Sequence, residues 1–270
     1  MLLLTILLAL APHRIVSVAP SITEILFALG AGDQVVGDTN YCNYPEAAKT
    51  KAKIGGFTTP SIEAMMKLAP DLVFMTNDRP DIAQLLRDSG GKDVVVVNPG
   101  SIAGIYQSIQ TIADKIGASD RGKALIQSID KDIHQAPPSG TRTPKPGVLF
   151  VVGRTPGKVA DLIVVGNGTY LSELIELAGG ANVAADTVGQ YPHFSFEEVI
   201  HRDPDIIVDM GHSEMVTEVQ KRQVKQLWKQ YPFLRAVKHD AVYSISAEYF
   251  VTPGPRVGQA VRDLRKIFSK

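Results

Sequence analysis

Apolar and polar positions along this chain fall into short blocks that alternate between two periods. Arg14-Ile-Val-Ser-Val18 is a β-branched run, broken by Pro20. Ser21 and Glu24 then have the spacing of a helix cap and its third residue. Ile25, Leu26, Ala28 and Leu29 continue at helical spacing until Gly30 and Gly32. Val35-Val-Gly37 reads as the next strand. Ser61-Ile-Glu63 opens a helix that ends near Pro70, Asp71 to Met75 is a strand, and Ile82 to Ser89 is helical. The continuous apolar run Asp93-Val-Val-Val-Val97 predicts a strand buried on both faces. From Ser119 to Gln135 the pattern changes. Ile126, Ile129 and Ile133 recur at helical spacing with no glycine after Gly122, which predicts one long helix. A turn-rich linker, Pro137 to Pro146, follows, and the alternation resumes with Val148 to Val152.

Strands alternating with helices predict parallel sheets covered on both faces. The expected architecture is α/β: two Rossmann-like lobes with central, mostly parallel sheets, joined by one long α-helix, with a ligand cleft between the lobes. The expected boundaries are 12–117 for the first lobe, 118–136 for the interlobe helix, and 137–270 for the linker and second lobe. An internal repeat carries the same reading. Ser61-Ile-Glu63 and Pro70-Asp71 recur as Ser195-Phe-Glu197 and Pro204-Asp205, with nine residues from Ser to Pro in both. Thr23-Glu24 through Gly30 is matched by Ser172-Glu173 through Gly179.

Composition narrows the function. Lys and Arg total 28 in a chain of 270 residues, Asp and Glu also 28, for a formal net charge of zero. With no basic block, a nucleic-acid binder that works by phosphate neutralisation is excluded. One cysteine excludes a disulfide scaffold within the chain and any Cys-rich zinc or iron–sulfur site. Met1 to Ala11 is apolar throughout and ends in Ala9-Leu10-Ala11, a small-x-small cleavage pattern. A membrane span needs about 20 apolar residues, whereas the apolar part of a secretory signal needs only about 7–15. The expectation is therefore export, with a cleaved signal at 1–11. No Lys or Arg precedes the run, so the signal is expected to be incomplete.

Catalytic signatures are missing. There is no Gly-x-Ser-x-Gly elbow and no Walker loop. Gly166-Asn-Gly168 follows a strand, but Leu171 stands where a dinucleotide fingerprint has its third glycine. His193 and His212 are isolated, and Cys42 has no neighbouring His or Lys to activate it. The chain is expected to be a binder and not an enzyme. Aromatic residues instead cluster in loops beside strands: Tyr41 to Pro45, Gly55-Gly-Phe57, Gln190 to Phe194, and Glu248-Tyr-Phe250. In doubly wound sheets such loops face the binding crevice.

Taken together, these stretches resemble the periplasmic substrate-binding proteins with a rigid interlobe helix, which deliver cobalamin, haem or ferric siderophores to ABC importers. The resemblance runs over residues 13–268. It is carried by Arg14 to Glu24, Val36-Gly37, Pro70 to Val73, the helix from 119 to 135, Glu173 to Gly180, Pro204-Asp205 and Pro253-Gly-Pro-Arg256. Tyr41 to Pro45, Gly55 to Phe57 and Tyr249-Phe250 are most similar to the cobalamin-binding branch. The resemblance implies capture of cobalamin or a related corrinoid as bound ligand, with no catalytic cofactor. It further implies a monomer when free and delivery to the membrane permease dimer of a cobalamin-type ABC importer. It implies ligand contacts at Tyr41, Phe57, Tyr191, Glu248, Tyr249 and Phe250. It also implies transporter docking through Glu63 and Glu197, which stand two residues after matching Ser caps. Two positions depart from the pattern: Thr76 stands where an aromatic is expected and Thr252 where a basic residue is expected. Haem is the runner-up ligand, with Tyr41, Tyr249 or His193 as axial-ligand candidates. A ferric siderophore follows, and a two-lobe α/β metalloenzyme is a third reading.

Overall fold

The computed structural model describes residues 14–77, 79–89, 93–134, 144–211, 218–245 and 248–269. The expected signal at 1–11, most of the expected linker and His212 lie outside the described residues. The chain is α/β and divides into two compact units. One comprises the residues up to Asn98 with Gln107–Leu125; the other comprises Pro99–Tyr106 with the residues from Ile126.

The first unit contains β1 (Ile15–Ser17), α1 (Pro20–Ala28), β2 (Val35–Asp38), β3 (Ala52–Lys53), α2 (Ile62–Lys67), β4 (Leu72–Thr76), α3 (Pro80–Asp88) and β5 (Asp93–Val97). Its strands form one parallel sheet in the order β3-β2-β1-β4-β5. Val16, Val73 and Met75 from the central strands pack with Met65 of α2 and Leu86 of α3 to make the core. Two helices, α4 (Ile102–Lys115) and α5 (Ser119–His134), contribute residues to both units.

Two sequence expectations are corrected here. Ser21 does not cap α1. Pro20 occupies the first turn, Ala19 is the capping residue, and Ser21 is buried inside the helix. The fixed backbone angle of proline suits the first helical position, so the helix begins earlier than the Ser–Glu spacing suggests. β5 is not buried on both faces. Among the described strands it pairs with β4 alone, and Asp93 and Val96 are exposed.

The second unit contains β6 (Gly147–Gly153), β7 (Leu162–Val164), α6 (Tyr170–Leu177), β8 (Ala181–Asn182), β9 (His193–Phe194), α7 (Phe196–Arg202), β10 (Ile206–Asp209), α8 (Glu218–Trp228), α9 (Arg235–Lys238), β11 (Val242–Ser244) and α10 (Val257–Phe268). The sheet runs β11-β10-β6-β7-β9, with β8 paired to β6. β11, β10 and β6 are parallel, whereas at one edge β7 runs antiparallel to both its neighbours, β6 and β9. Leu149, Val151, Ile207 and Trp228 lie at the centre of its core. The Glu173 carboxylate accepts the Ile102 N–H at 2.7 Å and so satisfies an open donor at the start of α4.

The sequence repeat is a structural repeat within each unit. Ser61 caps α2 by accepting the Ala64 N–H, and Ser195 caps α7 by accepting the Glu198 N–H. Both helices lead through Pro-Asp into a central strand. The Asp71 carboxylate accepts the Arg14 N–H at 2.9 Å, and the Asp71 N–H returns a bond to the Arg14 carbonyl. Asp205 makes the same two-way clasp with Gly147, its carboxylate accepting at 2.7 Å. Each Asp thus pins one strand entry to its neighbour. The second repeated pair, α1 and α6, ends in Gly30 and Gly179 at φ of 72° and 93°. In both, the N–H of the residue after the glycine folds back on the last turn, Ala31 to Leu26 and Gly180 to Ile175. A left-handed residue is required at that turn, and glycine adopts it without a side-chain clash.

Candidate functional site

In the first sheet, β1 lies between β2 and β4, so the chain leaves β1 to one side and later returns to the other. Ligands bind outside the carboxyl ends of strands at such a reversal. A pocket of about 140 Å³ opens at this place. Its floor is Val18, just past β1, with Met75 and Thr76 at the end of β4. One wall is Phe57, Thr58 and Pro60, from the loop between β3 and α2. Arg79, following β4, forms another part of the wall. The loop is held by the Gly55–Pro60 bridge and by the Ser61 N–H on the Ile54 carbonyl at 2.7 Å.

Tyr41 stands beside this pocket wall. Its loop, following β2, is tied to the glycine loop by the Asn40 N–H on the Gly55 carbonyl at 2.9 Å. A side chain at Gly56 would meet the Tyr41 ring at 3.9 Å. Tyr41 is 44% exposed. The structure therefore brings Tyr41 and Phe57 together in one unit.

Beneath the loop lies a buried polar cluster. The Thr23 hydroxyl donates to Ser17 and approaches the Cys42 thiol, which also meets Thr39 at 3.2 Å. Burial pushes the thiol pKa up, so Cys42 is not a poised nucleophile. Lys53 is the anchor. Its ammonium donates to the Asp38 carboxylate at 2.7 Å and to the Ala48 carbonyl at 3.2 Å, and reaches the Cys42 carbonyl at 3.5 Å. Asp38 is fully buried, and burial raises its pKa to about 6 despite Lys53.

In the second unit, Glu248, Tyr249 and Phe250 form one short turn after β11. The Tyr249 hydroxyl donates to Asp263 of α10, and Arg256 lies over its ring at 5.6 Å. Burial, with Asp263 beside it, pushes the Tyr249 pKa up to about 12. Arg256 also approaches Glu248 at 3.7 Å. Phe250 is a correction to the expectation that all three residues face a ligand. It is 1% exposed and packs between Phe150 of β6 and Tyr249, with ring centroids at 6.4 and 5.0 Å. Consecutive residues of a tight turn point different ways, so Phe250 supports Tyr249 from behind.

Tyr191 is not brought to that turn by the strand order. It precedes β9, at the sheet edge opposite β11, where the neighbouring Pro192 carbonyl accepts from Val164. Tyr191 and His193 are exposed. Thr76 lines the first-unit pocket, and Thr252 is buried at 5% exposure. Glu63 and Glu197 are both exposed in the first turns of α2 and α7. Their local partners differ: Glu63 pairs with Lys67 at 2.7 Å, whereas its own backbone N–H, and then the Ser195 hydroxyl, hold Glu197 below the usual carboxylate range.

Two features escaped the sequence reading. Arg79 lines the pocket, and its signal was its place just after a strand. The other sits at the carboxyl ends of β6 and β10. There the buried Asp209 accepts Arg154 Nε at 2.9 Å, Trp228 Nε1 at 2.8 Å and the Gly211 N–H at 2.7 Å. Three donors on one carboxylate balance the cost of burying it.

The sequence profile of a family described as periplasmic binding protein matches residues 15–249. The chain belongs to the periplasmic binding proteins. An uncharacterised ABC transporter substrate-binding lipoprotein of Bacillus subtilis is 30% identical over 260 residues, covering 94% of this chain and 79% of that protein. A vitamin B12-binding protein of Photorhabdus laumondii is 27% identical over 258 residues, covering 94% and 87%. Among solved structures, the periplasmic haem-binding protein RhuT of Roseiflexus superposes with a TM-score of 0.79 at 27% identity, covering 96% of this chain and 98% of that one. This periplasmic binding protein is therefore a substrate-binding protein of the ABC-importer class, whose members typically bind and do not catalyse. Among the described residues no helix is long and apolar enough to cross a membrane.

Proposed function

We propose that this protein captures cobalamin or a related corrinoid outside the cytoplasm and hands it to the membrane permease dimer of an ABC importer. The observation that carries the reading is the make-up of the first-unit pocket wall. Val18, Phe57, Pro60 and Met75 give apolar surface, and Thr58 and Thr76 give hydroxyls. A corrin ring is a broad amphipathic disc with amide arms. It calls for flat packing surface and hydrogen-bond partners at the rim. Haem iron takes an axial ligand from the protein. Among the described residues of this wall, the only side chain with a sulfur or nitrogen donor suited to iron, other than a guanidinium, is Met75, which is 2% exposed. Of the three axial candidates, Tyr249 has its hydroxyl engaged by Asp263 and its pKa raised, which disfavours the form that binds iron, while Tyr41 and His193 are exposed and are the ones a haem would use. In this reading Tyr41, Phe57, Tyr191, Glu248 and Tyr249 contact the corrinoid, and the protein is a monomer when free. Glu63 and Glu197 meet basic side chains of the permease, where charge pairs set orientation and on-rate.

The test is retention of a coloured ligand. Purified protein is mixed separately with cyanocobalamin, haemin and a ferric hydroxamate, desalted, and its visible spectrum recorded. The expected result is the corrinoid spectrum at one equivalent per chain. Retention of haem or ferric hydroxamate with no corrinoid overturns the reading.

A further inference from the structure

Among the described residues, the wall of the first-unit pocket carries a single charged side chain, Arg79. Every other lining residue is apolar or a threonine. The guanidinium is held in place from two sides. Nε and Nη2 grip the Asp81 carboxylate at 3.0 and 2.7 Å, and Nη1 donates to the Thr58 carbonyl in the opposite loop. A guanidinium has five N–H donors. These bonds use three, so one N–H on each of Nη1 and Nη2 remains for a ligand. Asp81 also keeps Arg79 from swinging away into solvent, so the cation stays at the pocket wall. A fixed planar fork with two spare donors suits a tetrahedral anion or a carboxylate better than an amide.

We propose that Arg79 is the specificity-determining residue of this pocket, and that it reads the phosphodiester of a complete corrinoid. This rests on the corrinoid reading above and deepens it. Cobalamin carries one phosphodiester, in the loop that tethers its nucleotide base, whereas cobinamide lacks the nucleotide and its phosphate. The two share the corrin ring and its amide arms. The aromatic and apolar surfaces therefore treat them alike, and the cation separates them.

The experiment compares cyanocobalamin with dicyanocobinamide by equilibrium dialysis, read by absorbance, for wild type and Arg79→Met. Wild type is expected to favour cyanocobalamin by about tenfold, the scale of one charge-assisted hydrogen bond at a partly open site. In Arg79→Met that ratio should fall to about one. The wild-type preference should also shrink between low and high salt, as a half-exposed charge pair is screened. Arg79→Gln repeats the measurement if the methionine variant does not fold. If the variant weakens both ligands equally, Arg79 acts by packing and the assignment is overturned. A wild type that binds both corrinoids equally overturns the assignment while leaving the corrinoid reading intact. A wild type that retains neither overturns both.

Discussion

Replacing Asp38 with asparagine should make the stability of this protein less dependent on pH. Asp38 is fully buried, one of its oxygens has no hydrogen-bond partner, and Lys53 holds the other. Burial raises its pKa from 3.8 to about 6. The folded chain therefore binds the Asp38 proton more tightly than the unfolded chain does. The stabilisation is fully present below about pH 3.8 and is lost as pH rises through about 6. The full shift of about two units corresponds to about 3 kcal/mol, and about 1 kcal/mol of it falls between pH 5 and 8. Asparagine has nearly the same shape and does not titrate. Urea denaturation of both proteins at pH 5 and pH 8 isolates the effect. Wild type should lose about 1 kcal/mol more than Asp38→Asn over that range. Any pH-independent cost of placing an amide beside Lys53 cancels in this difference. A difference between the two proteins that is the same at both pH values, or that changes with the opposite sign, refutes the argument.

Tyr41→Ala should weaken corrinoid binding by about 1–2 kcal/mol, since half of its ring remains to be covered by a ligand, with little change in melting temperature without ligand; calorimetry and thermal melts check both. Phe250→Ala should instead lower stability by about 3–5 kcal/mol in urea, the cost of emptying a core aromatic site. Asp209→Ala should cost about 3–5 kcal/mol, because it strands the buried Arg154 cation and the Trp228 N–H; a fall in denaturation midpoint and a change in Trp228 fluorescence report it. Glu63→Ala with Glu197→Ala should leave ligand affinity intact and slow association with the permease, most clearly at low salt. Association that is unchanged at every salt concentration leaves these residues with local helix roles only.

Features fixed by local chemistry were legible in the sequence. The Ser caps at Ser61 and Ser195, and the Pro-Asp turns that follow their helices, are written in adjacent residues, and the structure reproduces them. Features decided by position in a sheet were not. The valine run of β5 has the composition of a central strand, and only the strand order makes it an edge. Ser21 was misread because its spacing to Glu24 is a weaker constraint than the proline before it. Tyr41 and Phe57 stand out as loop aromatics, and the structure sets them side by side, but the sequence pattern does not distinguish Tyr249 from Phe250. Side-chain direction in a tight turn depends on what packs beneath, here Phe150. Arg79 was passed over because its meaning lies in lining the same pocket as residues from three other stretches of chain.

The matched Asp clasps carry a hazard for the chain as it folds. Asp71 and Asp205 offer the same carboxylate, at the same place before the same kind of strand, to the entry of a partner strand. A nascent polypeptide that holds two interchangeable fasteners can close the wrong one, joining β10 to β1 or seating a neighbouring molecule's strand. Emergence of the chain N-terminus first offers a guard. All five strands of the first sheet are complete by Val97, well before Gly147 appears, so the first fastener can be shut before the second exists. Rapid dilution from denaturant removes that head start. Refolding of the intact chain should therefore yield more cross-paired and aggregated material than folding in N-to-C order does, and more of it as chain concentration rises.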